Sequence, residues 1–421
     1  MDARFTVDVK HTLGEPRVLV SRRAMLHNAG VVRRHLAPGV RLCAMLKADA
    51  YGHGAAAAAD TLCNFCVGDG GDPPADAVAV ASVDEALGLP DLPVPVLIVR
   101  PLENAFIGRQ RLRIEEAVRH GWVLTVCSQA AADDVARIAQ GTGRRANVQV
   151  LVDTGLARGG ASPAELADLL ARIDARPSLR LWGLWTHFAS ADLPDSPFMA
   201  EQAARFRAAT DAVASARGNR ITRHAAASAG LFLHQGVQFD MVRPGLSLLG
   251  IDPSGRPSTS RPLRPALKWV APLIGIQTVP AGGTVGYGRT WAAGRSTRVG
   301  LLPVGYADGY PRSFSNGASV LLHNRPAAVV GRVSMDLTTI DLTDHPDAHV
   351  GEEVTLLDDN PLSPVSVYRL AEWANTIPYE ILSRIGPRVK RVPVDPEDAE
   401  CADAAEGDDE GAEASDEAEF G

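Results

Sequence analysis

Residues 41–48, RLCAMLKA, form a short apolar run that breaks on a charged residue, Lys47. Seven further runs follow: AVAVAS from Ala77, VPVLIVR from Val94, WVLTVC from Trp122, NVQVLVD from Asn147, RLWGLWTHF from Arg180, ITRHAAAS from Ile221 and FDMVRPG from Phe239. Runs this short and this continuously apolar suit strands covered on both faces. The segments between them read as helices. Met25, Ala29, Val32 and Leu36 recur at helical spacing, and SVDE from Ser82 is a capping box. SPAEL from Ser162 adds a proline in the first turn. Eight strand-then-helix units predict an α/β fold with an N-terminal parallel (β/α)8 barrel, an open doubly wound sheet being the alternative.

The texture changes after about residue 255. Proline and glycine become frequent, and IGIQTV, VGLLPVG, ASVLLH, AAVVGRVSM and EEVTLL read as strands without helices between them. One helix is expected at SVYRLAEWA, before IPYEILSRI. The expected division is a barrel over 1–255, a mainly β C-terminal domain over 256–394 and a tail over 395–421. The first residues of the chain could pack with the C-terminal domain.

The net charge of -8 belongs to that tail, which holds 13 acidic residues and no lysine or arginine, so the rest of the chain is net positive by 5. Almost without apolar side chains, the tail cannot offset the entropy of ordering and is expected to be disordered. No basic, aromatic-interleaved surface suggests nucleic acid. No apolar run approaches the roughly 20 residues of a membrane span, and MDARFTVDVKHT lacks the charged-then-apolar pattern of a secretion signal. Five scattered cysteines suit a reducing compartment, so the cytoplasm is the expected location. Cys63 and Cys66 form a lone CNFC, half of a thiolate zinc site at most, and no metal is expected.

Barrels of this type carry their chemistry at the C-terminal ends of the strands. Here those ends offer Lys47, Arg100, Asp153, His187, Ser228 and Arg243. A lysine in an apolar run either snorkels to solvent or sheds its proton, and the second behaviour is what an imine-forming lysine needs. Ser228-Ala229-Gly230 and Arg243-Pro244-Gly245-Leu246 follow the seventh and eighth runs, where barrels commonly hold phosphate. An aldehyde-bearing phosphorylated cofactor would connect these groups to Lys47. Pyridoxal phosphate fits that description, with Arg243 as partner of its ring nitrogen.

AMLKADAYGHG resembles the cofactor-lysine motif of alanine racemases. VDTGLARGG, THFASAD, HAAASAG, MVRPGLSLLG, GTVGYGRTW, VGYADGYPR, VGRVSMD and TIPYEILSRIGPR follow in the family's order, so the likeness spans both expected domains. The resemblance implies a pyridoxal-phosphate enzyme that interconverts L- and D-alanine by two bases, supplying D-alanine for cell-wall peptidoglycan. Lys47 would hold the cofactor and serve the D-alanine side, while Tyr287 would serve the L-alanine side, assisted by His187 and Arg243. Tyr51, Ser228, Gly245 and Leu246 match phosphate-binding positions. Arg158, Tyr306 and Met335 match positions near the substrate. Because Tyr287 and Met335 lie in the second domain, the resemblance also implies a head-to-tail homodimer with shared sites.

The chain departs from the family pattern at three places. Leu151 stands where many members have a carbamylated lysine that orients the arginine, Ala227 stands at a common asparagine, and Pro387 at a phosphate-binding tyrosine. The alternative readings are a racemase of serine, lysine or a broad set of amino acids, since pocket size depends on loops that the sequence does not place, and, in a different class, a pyridoxal-phosphate-binding regulatory protein. A single-barrel cofactor-binding regulator would lack the second domain.

Overall fold

The computed structural model describes residues 14–65, 73–102, 109–193, 196–217 and 221–394. Strand β1 (Arg17–Val20) precedes eight strands that close on themselves: β2 (Arg41–Met45), β3 (Ala77–Val80), β4 (Val96–Leu102), β5 (Val123–Val126), β6 (Ala146–Leu151), β7 (Leu179–Trp185), β8 (Thr222–His224) and β9 (Met241–Val242). Each is parallel to its neighbours, and β9 pairs back onto β2 through Arg41↔Met241 and Leu42↔Val242. The closed parallel barrel is therefore the fold, not the open sheet. Its strands read as unbroken apolar runs because both faces are covered, as at Leu42, Val78, Leu97, Val148 and Val242, all fully buried.

Helices follow the strands where the capping signals indicate. Helix Arg22–Arg34 starts at Ser21, whose hydroxyl accepts from Ala24 N, and buries Met25, Ala29 and Val32. Ser82 caps Glu85 N, and the Glu85 carboxylate reaches back to Ala81 N. The Ser162–Glu165 reciprocal bonds also form, but residues 163–165 make a turn and the helix begins only at Leu166. Arg100, expected to end a strand at the reactive face, is exposed, and β4 continues to Leu102.

Beyond the barrel lie β10 (Leu267–Pro272), β11 (Gly275–Val279), β12 (Thr284–Val285), β13 (Trp291–Ala292), β14 (Thr297–Leu302), β15 (Ser319–Leu322), β16 (Arg325–Ala328), β17 (Thr338–Asp341), β18 (Glu353–Leu357) and β19 (Lys390–Pro393). With β1 they form a six-stranded sheet in the order β16-β15-β18-β10-β1-β19, a three-stranded sheet, β11-β14-β17, and a two-stranded one, β12-β13. β1 lies inside the larger sheet, antiparallel to β10 and parallel to β19. The first described strand thus packs with the last. AAVVGRVSM is strand only as far as Ala328; Val329 makes one isolated bridge and the rest is loop, bent at Gly331 where φ is +76°. The expected helix appears at Val367–Ala374, followed by a second at Pro378–Ser383.

Among the described residues no helix is long and apolar enough to cross a membrane. The acidic tail and Cys66 lie outside the described residues. Cys63 is buried, and burial pushes its thiol up to about 12, so it stays protonated.

Candidate active site

Lys47 begins an unusual turn directly after β2. Ala48, Asp49, Ala50 and Tyr51 all have φ between 50° and 55°, one full left-handed turn built without glycine. Left-handed helical backbone costs an L-residue roughly 1–2 kcal/mol, so the surroundings must hold it. Glu85 accepts from Ala48 N at 3.2 Å, Asp49 Oδ1 accepts from Ala55 N at 2.8 Å, and Gly54 N donates to Asp49 O at 2.9 Å. Strain of this kind clusters where a side chain must be aimed.

The turn presents Lys47 at the barrel mouth, solvent-accessible yet crowded by protein. Desolvation, then the Arg158 and Arg243 guanidiniums, lower its pKa, while Glu85 opposes them. More of the amine is therefore neutral than in a free lysine, as imine chemistry requires.

Arg243, just after β9, is 2% exposed. Its Nη1 donates to His224 Nδ1 at 2.7 Å, and Nη2 donates to the carbonyls of Thr186 and Ala225, both at 2.9 Å. The Trp185 ring lies beneath, 4.9 Å from the guanidinium carbon. Burial lowers the Arg243 pKa only to about 10, so it remains a cation at neutral pH. Two of a guanidinium's five N–H groups, Nε–H and one on Nη1, are left for a ligand. His187 Nδ1 is 3.5 Å from Nη2, the limit of a hydrogen bond, because both Nη2 hydrogens already point at carbonyls. His224 thus makes the closer contact with Arg243, and His187, expected to act with Arg243, meets it at the longer distance. Desolvation, then Arg243, Arg158 and Lys47, hold the His187 pKa down at about 3, so its imidazole is neutral.

Ser228 sits beside the same loop. Its Oγ accepts from Gly245 N at 3.3 Å and Ser247 N at 3.2 Å, which leaves its own O–H free to donate. The Tyr51 hydroxyl lies against Gly245 so closely that a Cβ there would be 2.6 Å from it. Burial raises the Tyr51 phenol pKa, so it too remains a donor. Ser247 Oγ is buried without a hydrogen-bond partner in the same loop. Clustered donors beside a side-chain-free backbone suit a phosphate. With an amine of lowered pKa and a fixed guanidinium, the set fits pyridoxal phosphate.

Arg158 occupies the loop after β6, exposed but close enough to perturb Lys47 and His187. Asp153 Oδ1 accepts from Gly155 N and Ala157 N, and Ala161 N donates to Leu151 O at 2.8 Å. Leu151 packs with Cys127 and Trp185, and a Cβ on Gly160 would sit 3.2 Å from Leu151 Cγ. The Arg158 loop is thus folded by Asp153 and seated on an apolar base.

Tyr287, Tyr306 and Met335 follow the barrel in sequence and lie near one another in the fold. Segment 331–335 links them. A Cβ at Gly286 would lie 3.0 Å from Arg332 N, and Tyr306 N donates to Ser334 O at 3.1 Å. The three side chains are 73%, 41% and 53% exposed, so none is a packed core residue. Sequence reasoning missed Glu85, His224, Trp185 and Ser247. His224 could have been noticed, because it lies in the strand that leads to Ser228.

Comparison with known proteins agrees with this arrangement. The family described as alanine racemase, N-terminal domain, matches residues 20–253, and alanine racemase, C-terminal domain, matches 266–393. An alanine racemase of Chlorobaculum tepidum is 36% identical over 89% of this chain and 94% of its own length. A catabolic alanine racemase of Pseudomonas aeruginosa is 36% identical over 90% and 97%. Among solved structures, alanine racemase from Streptomyces coelicolor A3(2) has a TM-score of 0.82 at 35% identity, covering 92% of this chain and all of that one. Alanine racemase from Bartonella henselae with covalently bound pyridoxal phosphate has a TM-score of 0.76 at 26% identity, covering 90% and 99%. A barrel with a lysine on a strained turn, a phosphate cradle and a β domain with exposed tyrosines, matched across both parts, makes this chain a member of the alanine racemase family.

Proposed function

We propose that the protein is an alanine racemase that uses pyridoxal phosphate and supplies D-alanine for peptidoglycan in the cytoplasm. The observation that carries this reading is Lys47, an amine of lowered pKa on a strained turn, beside the donor set of Tyr51, Ser228 and Arg243. When bound, pyridoxal phosphate supplies an electron-withdrawing ring that acidifies the α-hydrogen of an amino acid joined to it.

The chain's residues divide the remaining work. Ser228 Oγ–H, Tyr51 Oη–H and the Leu246 N–H would bind the phosphate, with Gly245, its N–H held by Ser228 Oγ, keeping the backbone beside them free of a side chain. Arg243, with N–H groups left over from its protein contacts, would donate to the ring nitrogen of the bound cofactor and keep that nitrogen unprotonated, limiting side reactions. Lys47 Nζ holds the cofactor and moves the α-proton on the D-alanine face. Tyr287 Oη moves it on the opposite face, because inversion needs an acid-base group on each side of the α-carbon. Neutral His187 can accept a hydrogen bond from that phenol. Arg158 pairs with the substrate carboxylate, helped by Met335 N–H, and Tyr306 gates entry.

Tyr287, Tyr306 and Met335 share one exposed loop cluster, which supports a head-to-tail homodimer in which a second copy's cluster closes each barrel mouth. Polarimetry with L-alanine, with and without added pyridoxal phosphate, tests the activity. Borohydride reduction followed by peptide mapping tests the lysine. Turnover of serine or lysine well above alanine, or reductive label on any residue but Lys47, would overturn the assignment.

A further inference from the structure

We infer that Arg391 is a positioning residue for Lys47, reaching from the last strand of the fold to fasten the turn that carries the lysine. The inference rests on the reading of Lys47 as the cofactor lysine. Residues 48–51 are left-handed without a glycine among them, so their shape must be imposed from outside. Glu85 supports the turn from the barrel side. The opposite side is supplied by β19.

Arg391 Nε donates to Gly52 O at 2.9 Å. Nη1 donates to Gly386 O at 2.7 Å and Val389 O at 2.6 Å, and Nη2 to Ile385 O at 2.8 Å. Asp49 Oδ2, within the turn itself, is 3.7 Å from Nε. The side chain is 17% exposed. One planar group thus gathers three carbonyls of segment 385–389 and ties them to the end of the Lys47 turn.

The fit around this tie is close. A Cβ on Gly52 would stand 2.3 Å from Leu382 O, and one on Gly54 would stand 3.7 Å from Arg391 Cγ. Turn and clamp are therefore packed backbone to backbone, with little room for a second arrangement. Four of the five nearby acceptors are neutral carbonyls, so the direction of the guanidinium's donors matters more than its charge. A lysine ammonium presents its donors from a single point and cannot span carbonyls set apart in this way.

The test compares wild-type holoenzyme with Arg391→Met and Arg391→Lys. Hydrogen exchange is measured across residues 46–55, and borohydride label at Lys47 is quantified by peptide mapping. In the wild type, exchange across the turn should be as slow as in β2; exchange as fast as in exposed loops would overturn the clamp without any variant. Both substitutions should speed exchange across the turn by about tenfold or more, with the barrel strands unaffected. Both should also reduce label at Lys47. Wild-type exchange and label in Arg391→Lys would overturn the inference, and that variant decides the matter if Arg391→Met does not fold. Absence of label at Lys47 in the wild type would instead refute the functional reading, leaving the exchange result to judge the clamp.

Discussion

Arg243 Nη1 donates to His224 Nδ1 across 2.7 Å, and this contact sets which imidazole nitrogen carries the hydrogen. Nε2–H then donates to Gln149 Oε1 at 3.0 Å, Gln149 Nε2 donates to Thr125 Oγ1 at 2.9 Å, and the Thr125 hydroxyl donates to Ile98 O at 2.6 Å. The buried cation is matched by lone pairs and an indole face instead of a carboxylate. Desolvation and the neighbouring Arg243 keep His224 well below the usual imidazole pKa, so it stays a neutral acceptor. His224→Phe would strand a buried guanidinium N–H and the Gln149 carbonyl oxygen. The expected loss is about 1–3 kcal/mol per stranded group, read from urea unfolding, with His224→Gln less damaging.

Gly245→Ala should loosen the cofactor. Its Cβ would fall 2.6 Å from the Tyr51 hydroxyl, pushing that donor off the phosphate cradle. Retention of pyridoxal phosphate during dialysis should fall by about tenfold, the worth of roughly one hydrogen bond. Unchanged retention would separate Tyr51 from phosphate binding.

Tyr287→Phe should impair the two directions unequally. With the phenol removed from one face and Lys47 intact on the other, exchange of the α-hydrogen of L-alanine with solvent should slow far more than that of D-alanine. Single-turnover deuterium exchange reads the difference. Equal losses would mean that the faces are misassigned.

Acid should destabilise the protein partly through His53. Burial lowers its pKa from 6.5 to about 4, so below pH 6.5 the unfolded chain binds a proton that the folded one refuses, and stability falls as the pH drops through that window. Replacing His53 with Gln should flatten the stability profile between pH 6.5 and 5 by up to about 1.4 kcal/mol per pH unit, measured by urea unfolding at each pH. A slope equal to the wild type would show that His53 titrates normally.

The barrel was legible because strands buried on both faces leave unbroken apolar runs, and helix starts leave capping residues such as Ser21 and Ser82. Lys47, Ser228 and Arg243 were legible as polar residues ending those runs. The left-handed turn was not, since Ala48, Asp49, Ala50 and Tyr51 have no shared preference for positive φ and adopt it only under tertiary restraint. Contacts between distant positions were equally hidden. Nothing local in Arg391 points to Gly52, and nothing in Gln149 points to His224. Leu151, seen in the sequence as the loss of an anchor, is in the fold an apolar base for a loop that Asp153 organises.

The register of β1 beside β19 has a consequence for how the chain could be cut and rejoined. Arg17 and Lys390 are neighbours in one sheet, so the barrel is an insertion within a sheet that the first and last described strands complete. A single cut after the barrel would leave β1 on the wrong piece. Because the pair is parallel, a crossover linker of about a dozen residues or more from Pro393 back to Arg17, with new termini opened at an exposed barrel loop, should instead give a circularly permuted protein that keeps every strand pairing.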